Sequence, residues 1–261
     1  MERNSKQLHR PACFSEAKAV LESCAALAEA MPDNFSVQVG IAAAPDGAPM
    51  VLVVPTWCGQ PEEGERRLAP FLSLGTLLAG AIEKKSYGAL LLTFDQQISN
   101  GLRVFAGTCW LRAFDACAID TFIAVMRCAV SPGCAILTHD FKGAASRVAA
   151  NATAFGLRRD HVVVEVLAMA PVESDELDAR RHCAWARNAR EAFTGALPGG
   201  YPNFLGSDEV ERAVKSYGGN AERLIRAKHS LRSRLRFFLR DPIAGRASHF
   251  KGRGRARSGA D

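Results

Sequence analysis

Apolar positions recur along the chain with two periods, 3.6 and 2, and their order defines the expected elements. Val20, Leu21, Cys24, Leu27, Ala28 and Met31 follow helical spacing, with Ser15 placed to cap the helix and Pro32-Asp33 to end it. Two runs rich in Val and Ile, 35–44 and 50–56, flank Pro45-Asp46-Gly47, and that turn chemistry predicts a β-hairpin. Pro61-Glu62-Glu63 opens a short helix with proline at its first position and acids in its first turn, Leu68 and Phe71 packing inward. The apolar stretch 87–94 fits neither period. A strand follows at 103–111, then a helix at 114–130 with Ala118, Phe122, Val125 and Met126 facing in. The turn Ser131-Pro132-Gly133 leads to a strand at 134–139. Residues 161–170 form a further strand, with Val162, Val164, Val166 and Ala168 on one apolar face, and Leu177, Trp185, Ala189, Ala192 and Phe193 mark one face of a long helix.

The pattern then changes. In Gly199-Gly200-Tyr201-Pro202-Asn203-Phe204-Leu205 two glycines permit a close-approaching backbone, and Pro202 fixes the dihedral between a phenol and a carboxamide. Tyr201 and Asn203 are therefore expected to project from a rigid, extended loop. Ser207 is placed to cap a helix with Asp208 and Glu209 in its first turn, favourable at the positive end of the dipole. Val210, Ala213, Val214 and Tyr217 give that helix an apolar face, Gly218-Gly219 stops it, and Asn220 caps a second one. From roughly Arg246 onward Gly, Ser and Arg predominate, as in a disordered tail. A hairpin followed by strand, helix, strand, strand, helix predicts an α+β fold: an antiparallel β-sheet covered by helices on one side, then a C-terminal helical segment and a disordered basic tail.

Composition narrows the class. The 261 residues are 48% apolar and 23% charged, enough for a substantial core and ordinary for a globular protein. The net charge of +6 is concentrated late, from Arg223 through Arg257, while acids and bases upstream are close to balance. A basic end with only Phe237, Phe238 and Phe250 interleaved reads as a solvated helix face and tail; nucleic acid is not expected as a partner. The eight cysteines are irregularly spaced with no Cys-x-x-Cys pair, so buried free thiols in a reducing compartment are expected. Met1–Lys6 lead into no apolar leader, and no stretch reaches the ~18 apolar residues of a membrane span. A soluble cytoplasmic protein, without membrane association, is the expectation.

Candidate chemistry begins with Glu165, a carboxylate within a strand of Val, Leu and Met, where burial would disfavour its charge. Its same-parity neighbours His161, Val163 and Leu167 form a mixed face, which favours a half-solvated Glu. His139 and Asp140 suggest a dyad, yet adjacent strand residues point to opposite faces. With His161, His182 and His229 they fit no metal spacing, so no metal is assigned. Phosphate-loop, dinucleotide and Gly-x-Ser-x-Gly fingerprints are absent.

The Tyr201-Pro202-Asn203-Phe204 loop, the acidic helix start and the run Tyr217-Gly218-Gly219-Asn220-Ala221-Glu222-Arg223-Leu224 follow one another in a distinctive order. Together they resemble the C-terminal berberine-like segment of FAD-linked oxidoreductases related to berberine bridge enzyme. Cys58-Gly59, Glu62-Glu63-Gly64-Glu65 and Leu68-Ala69-Pro70 look like the substrate domain that precedes it. The resemblance implies a substrate-binding-like α+β domain at residues 1–198, a berberine-like segment at 199–243 and the tail at 244–261. It implies FAD as cofactor and hydride transfer from a substrate alcohol or amine to flavin, with oxygen as electron acceptor. By the same resemblance Tyr201 is the candidate base, Glu165 a second catalytic candidate near the substrate, and Asn203 a contact to flavin or substrate. A phenol with a reference pKa of ~10 needs a cationic or strongly hydrogen-bonded setting for that role. The bland alternatives are a Tyr201 ring that anchors the loop and an Asn203 amide that satisfies turn backbone.

Two departures qualify the expectation. The resemblance covers roughly residues 15–243 and does not include the N-terminal FAD-binding domain of such oxidases, so this chain alone is expected to be inactive and not to bind FAD. A separate FAD-binding subunit, or assembly as a homo-oligomer, is the partner expectation beside a small-molecule substrate. After Lys228 the family usually has Tyr-Asp-Pro-x-Asn, whereas this chain has Leu231-Arg232-Ser233-Arg234-Leu235. A non-catalytic small-molecule or protein-binding domain derived from such an enzyme is the alternative function.

Overall fold

The computed structural model describes residues 4–8, 10–76, 78, 80–92, 101–206 and 209–232. Its strands are β1 (Asn4–Leu8), β2 (Arg10–Cys13), β3 (Phe35–Ala43), β4 (Pro49–Trp57), β5 (Ile82–Ser86), β6 (Leu102–Leu111), β7 (Cys134–Phe141) and β8 (His161–Pro171). They form one antiparallel sheet in the order β5-β1-β4-β3-β7-β8-β6, with β2 also paired to β4. The hairpin closes as its turn chemistry predicts. Gly47 takes a positive φ of 84°, and the Asp46 side chain accepts a hydrogen bond from Ala48 N at 2.9 Å.

Three helices, α1 (Ala17–Glu29), α4 (Ala116–Arg127) and α5 (Glu176–Glu191), pack on one face of this sheet. The strand pleat decides which residues they meet. Val37, Val39 and Ile41 of β3, Val51 and Val53 of β4, Ile136 of β7 and Val164, Val166 and Ala168 of β8 lie in one core with Val20, Leu21, Phe122 and Trp185 of the helices. Each fully buried side chain of this size contributes on the order of 1.5–3 kcal/mol. The alternate positions, including Gln38, His139, Glu165 and Thr108, face the other way. The predicted α+β architecture, with helices on one side, is the architecture observed.

The remaining elements are short. A helix α2 (Pro61–Leu68) starts on the proline and buries Leu68, with Phe71 just beyond it, and α3 (Tyr87–Leu91) occupies part of the ambiguous 87–94 stretch. Residues 93 and 94 lie outside the described residues. The C-terminal segment consists of α6 (Val210–Tyr217) and α7 (Ala221–Arg232); the 244–261 tail is not among the described residues.

Several local expectations shift. The helix expected at 114–130 runs from Ala116 to Arg127, capped by Asp115, which accepts from Ala118 N, while Ser15 lies in a short 3-10 turn and makes no cap bond. Leu177 is 77% exposed and Ala192 is exposed too; the buried face of α5 is Ala179, His182, Trp185, Ala186 and Ala189. Ser207 and Asp208, the predicted cap and first acid, lie outside the described residues. The Asn220 amide donates to the carbonyls of Ala150 and Ala154, at 2.6 and 3.4 Å, so it ties down the β7–β8 connection. Of the eight free cysteines, Cys24, Cys109 and Cys134 are buried as expected, whereas Cys13, Cys58, Cys117 and Cys128 are exposed.

An aromatic cluster closes one end of the open face. Phe141 stacks on His161 at 4.5 Å, and Trp110 meets His161 and Phe155 edge-on at 5.8 and 5.9 Å. Burial in this cluster holds the His161 imidazole below its ordinary value, opposed by its Nδ1 hydrogen bond to the Arg159 carbonyl at 2.7 Å. The unfolded chain therefore binds a proton that the folded chain resists, and this site's stabilisation is full above about pH 6.5 and falls as the pH drops below that value. Urea unfolding of wild type and His161→Phe between pH 5 and 8 should show wild type losing stability faster on acidification. Parallel pH profiles would contradict this account.

Candidate functional site

The Gly199–Leu205 loop lies against β6 because no side chain would fit beneath it. At Gly199, with φ 97°, an added Cβ would come within 2.8 Å of the Ser216 backbone and 2.9 Å of the Trp110 ring. At Gly200 it would meet Arg212 at 2.6 Å and the Thr108 carbonyl at 3.0 Å. The contact is then held by hydrogen bonds. Tyr201 N donates to Thr108 Oγ1 at 2.8 Å and Gly200 N to Ser216 Oγ at 3.0 Å. Leu197 N donates to the Trp110 carbonyl at 2.7 Å. Arg212 Nη2 donates both to the Thr108 carbonyl and, at 2.8 Å, to the Gly199 carbonyl.

Glu209 locks this arrangement from behind. Its Oε1 accepts from Arg190 of α5 and Arg212 of α6, and its Oε2 from Gly206 N at 3.0 Å. The acid predicted to favour a helix dipole is instead the shared anion of two guanidinium groups. Nearby Cys109, on the core side of β6, has its thiol pushed up to about 12 by burial, a shift that Arg212 and Arg190 oppose. That sulfur is an unreactive part of the packing.

On the sheet side Glu165 stands opposite Thr108 on β6 and Leu137 on β7. The sequence favoured a half-solvated carboxylate, but the side chain is only 10% exposed. The reason is its position on β8, flanked by strands on both sides, together with a partner that sequence could not supply. Glu165 Oε2 lies 2.9 Å from His139 Nε2, and His139 Nδ1 lies 3.3 Å from Gln38 Nε2. An amide NH₂ only donates, so Nδ1 is the accepting nitrogen and Nε2 carries the proton given to Glu165. Gln38, His139 and Glu165 thus form a polar row across β3, β7 and β8. Asp140 points away, accepting from Val37 N at 3.3 Å.

Thr108 joins the two halves of the site. It shares a face with Glu165 across one strand pair and holds the Tyr201 backbone through its hydroxyl. Asn203 Nδ2 donates to Tyr201 Oη at 3.1 Å, which orients the phenol, and Phe204 lies against the Tyr201 ring at 5.7 Å. Tyr201 and Asn203 are exposed. Asn203 and Phe204 also line a cavity of about 740 Å³ with Arg187, Arg190 and Arg212. Glu165 and the Tyr201 backbone are therefore linked through Thr108, with Asn203 bonded to the phenol. Thr108, Gln38 and Arg212 are members that sequence reasoning missed, and His139, which the sequence suggests as a dyad with Asp140, has Glu165 as its observed partner. Only the even spacing of Thr108 with Ala106 and Trp110 hinted that it leaves the core face.

A flavin ring would find polar groups here in Tyr201 and Asn203. For a dinucleotide's phosphates the glycine-rich loop offers no free cradle among the described residues. The N–H groups of Gly200 and Tyr201, in the glycine-rich loop, are already spent on Ser216 and Thr108. Among the described residues no group of three or more His, Cys, Asp and Glu side chains could hold a metal ion, and no helix is long and apolar enough to cross a membrane.

No family model and no curated protein matches the sequence. The fold, however, is shared with solved structures. BBE-like 28 from Arabidopsis thaliana superposes with a TM-score of 0.74 at 18% identity, covering 86% of this chain and 53% of that one. Physcomitrella patens BBE-like 1 gives 0.72 at 13% identity, covering 88% and 51%. Berberine bridge enzyme from Eschscholzia californica gives 0.68 at 17% identity, covering 86% and 52%. This chain has the fold of about half of each of these structures.

Because the Tyr201 N–H has the Thr108 hydroxyl as its acceptor, Thr108→Val should leave that N–H without one at nearly constant volume. The expected cost is ~1–3 kcal/mol of stability, read by thermal melting, with faster hydrogen exchange at the Tyr201 amide than in wild type. Unchanged exchange there would show that the loop is held by other contacts.

Proposed function

We propose that this chain is the substrate-binding and C-terminal part of an FAD-linked oxidoreductase of the berberine bridge enzyme type, acting on a small-molecule alcohol or amine. The observation that carries the reading is that Thr108, which shares the open sheet face with Glu165 and His139, also holds the backbone of the Tyr201 loop, whose phenol and Asn203 amide are hydrogen-bonded to each other. The shared fold with berberine bridge enzyme structures supports it, one of which is described as a reticuline dehydrogenase and another as a complex with (S)-reticuline.

FAD, when bound, supplies the hydride acceptor, and a separate FAD-binding subunit is the proposed source of the module that grips its phosphates. Tyr201 and Asn203 are the residues this chain offers toward the ring. Tyr201 Oη, once ionised to the phenolate, would take the proton of the substrate hydroxyl or amine and become the neutral phenol, in an orientation set by the Asn203 amide. Glu165 presents the second acceptor. Its Oε2 is occupied by His139, while Oε1 makes no hydrogen bond among the described residues. Leu137 and Val163, partly buried on the same face, supply apolar surface to exclude water from the reacting atoms. The Arg-rich end is partly used within the chain, since Arg223 donates to the Thr153 carbonyl and Arg226 pairs with Glu222.

The test needs the cofactor module. The purified chain, incubated with excess FAD and desalted, should stay colourless, and co-purification with an FAD-binding subunit should give a yellow complex that substrate bleaches anaerobically. Tyr201→Phe and Glu165→Gln should each slow bleaching by about 10²–10⁴-fold. Unchanged rates in both variants, or no complex with any FAD-binding subunit, would leave a binding domain without redox chemistry as the better reading.

A further inference from the structure

Far along β8 from Glu165, a second group of side chains has the mutual geometry of a nucleophile, a base and an orienting acid. Ser131 lies in the turn between α4 and β7, and its Oγ is 2.8 Å from His182 Nε2 on α5. His182 Nδ1 faces two oxygens of Asp178, the backbone carbonyl at 2.8 Å and carboxylate Oδ2 at 3.6 Å. Both are acceptors, so Nδ1 carries the proton and Nε2 is the lone-pair nitrogen facing the serine hydroxyl. His182 is only 2% exposed, whereas Ser131 is partly open to solvent.

The serine is held rigidly. Gly133 N donates to Ser131 Oγ at 3.1 Å, Cys134 N to the Ser131 carbonyl at 3.1 Å, and Met169 N to the Gly133 carbonyl at 2.9 Å. A Cβ on Gly133 would fall 2.0 Å from the Met169 carbonyl oxygen, so only glycine allows the turn to sit there. Ser131, His182 and Asp178 line a cavity of about 340 Å³ whose other walls include Leu102, Met169 and Arg181. Arg181 pairs with Asp178 Oδ1 at 2.9 Å and fixes the carboxylate that faces His182.

We propose that this cavity is a site of acyl transfer, with Ser131 as nucleophile, His182 as general base and Asp178 as its positioning residue, and that it takes esters with a short apolar acyl group. Ser131 Oγ attacks the ester carbonyl carbon as its proton passes to His182 Nε2. The new Oγ–C bond forms, the C–O bond to the alcohol breaks, and His182 returns the proton to the departing alkoxide. Water then cleaves the acyl-serine, giving its proton to His182, which hands it back to Oγ. Neither flavin nor any partner takes part.

The experiment uses the full chain with a fluorophosphonate probe, followed by peptide mass mapping, and in parallel a short-chain p-nitrophenyl ester. Wild type is expected to carry the adduct on Ser131 and to release a burst of about one equivalent of p-nitrophenol. Ser131→Ala should lose both signals, and His182→Gln should label at least ~100-fold more slowly. Urea-unfolded wild type controls for a misfolded variant, since it should not label at Ser131 either. No adduct on Ser131 in the folded wild type, or labelling there that persists on unfolding, overturns the proposal.

Discussion

The candidate chemistry of this chain hangs on one residue of an edge strand. Thr108 gives its hydroxyl to the Tyr201 N–H and its carbonyl to Arg212, and so fastens the C-terminal segment to the open face of the sheet. Arg212 also holds Gly199 and is itself held by Glu209, which Arg190 grips from α5. Loop, sheet edge and helix therefore meet in a single network with little solvent access. Such a network is worth more as geometry than as stability. Desolvating three charges offsets much of their attraction, but removing one leaves an uncompensated partner at a cost of ~3–5 kcal/mol. The Tyr201 backbone is thus placed by contacts that tolerate few alternatives.

The two faces of the sheet divide the work. One face is closed by α1, α4 and α5 and contributes most of the apolar burial. The other carries Gln38, His139, Glu165 and Thr108 in a line across four strands, with Tyr201 attached at its end. Because side chains alternate with period 2, the same β8 strand feeds Val164 and Val166 to the core and Glu165 to the site between them. A one-residue slip would bury the acid in the core and expose the valines, so the hydrophobic pattern that fixes the register also fixes the chemistry.

Much of this was legible in the sequence where one local signal sufficed. The β3–β4 hairpin had alternating Val and Ile on both sides of a Pro-Asp-Gly turn, and β8 an unbroken apolar face; both formed within one or two residues of the expected ends. The strands β1, β2 and β5 at one end of the sheet were not legible. They are short, and β5 reads Ile-Glu-Lys-Lys-Ser, the charged composition that keeps an open edge from pairing with another chain. Burial of Glu165 was misjudged for another reason. Its partner His139 stands 26 residues away, and only the β7–β8 register brings the two rings of contacts together. The Ser131–His182 pair, 51 residues apart, was hidden in the same way. Local patterns report on elements, whereas these sites are built from long-range register.

That register also keeps the two proposed chemistries apart. Glu165 and Met169 lie four residues apart on β8, a strand separation on the order of 13 Å at ~3.3 Å per residue, and it is at Met169 that the Ser131–Gly133 turn meets the strand. Between them Leu167 is buried and apolar, and no polar side chain links the His139 row to His182 among the described residues. The carboxylate row of the open face and the serine of the turn therefore have separate hydrogen-bond partners, His139 and Gln38 for the first and His182 for the second. Of the two proposals, only the second finds its nucleophile, base and positioning carboxylate within the described residues.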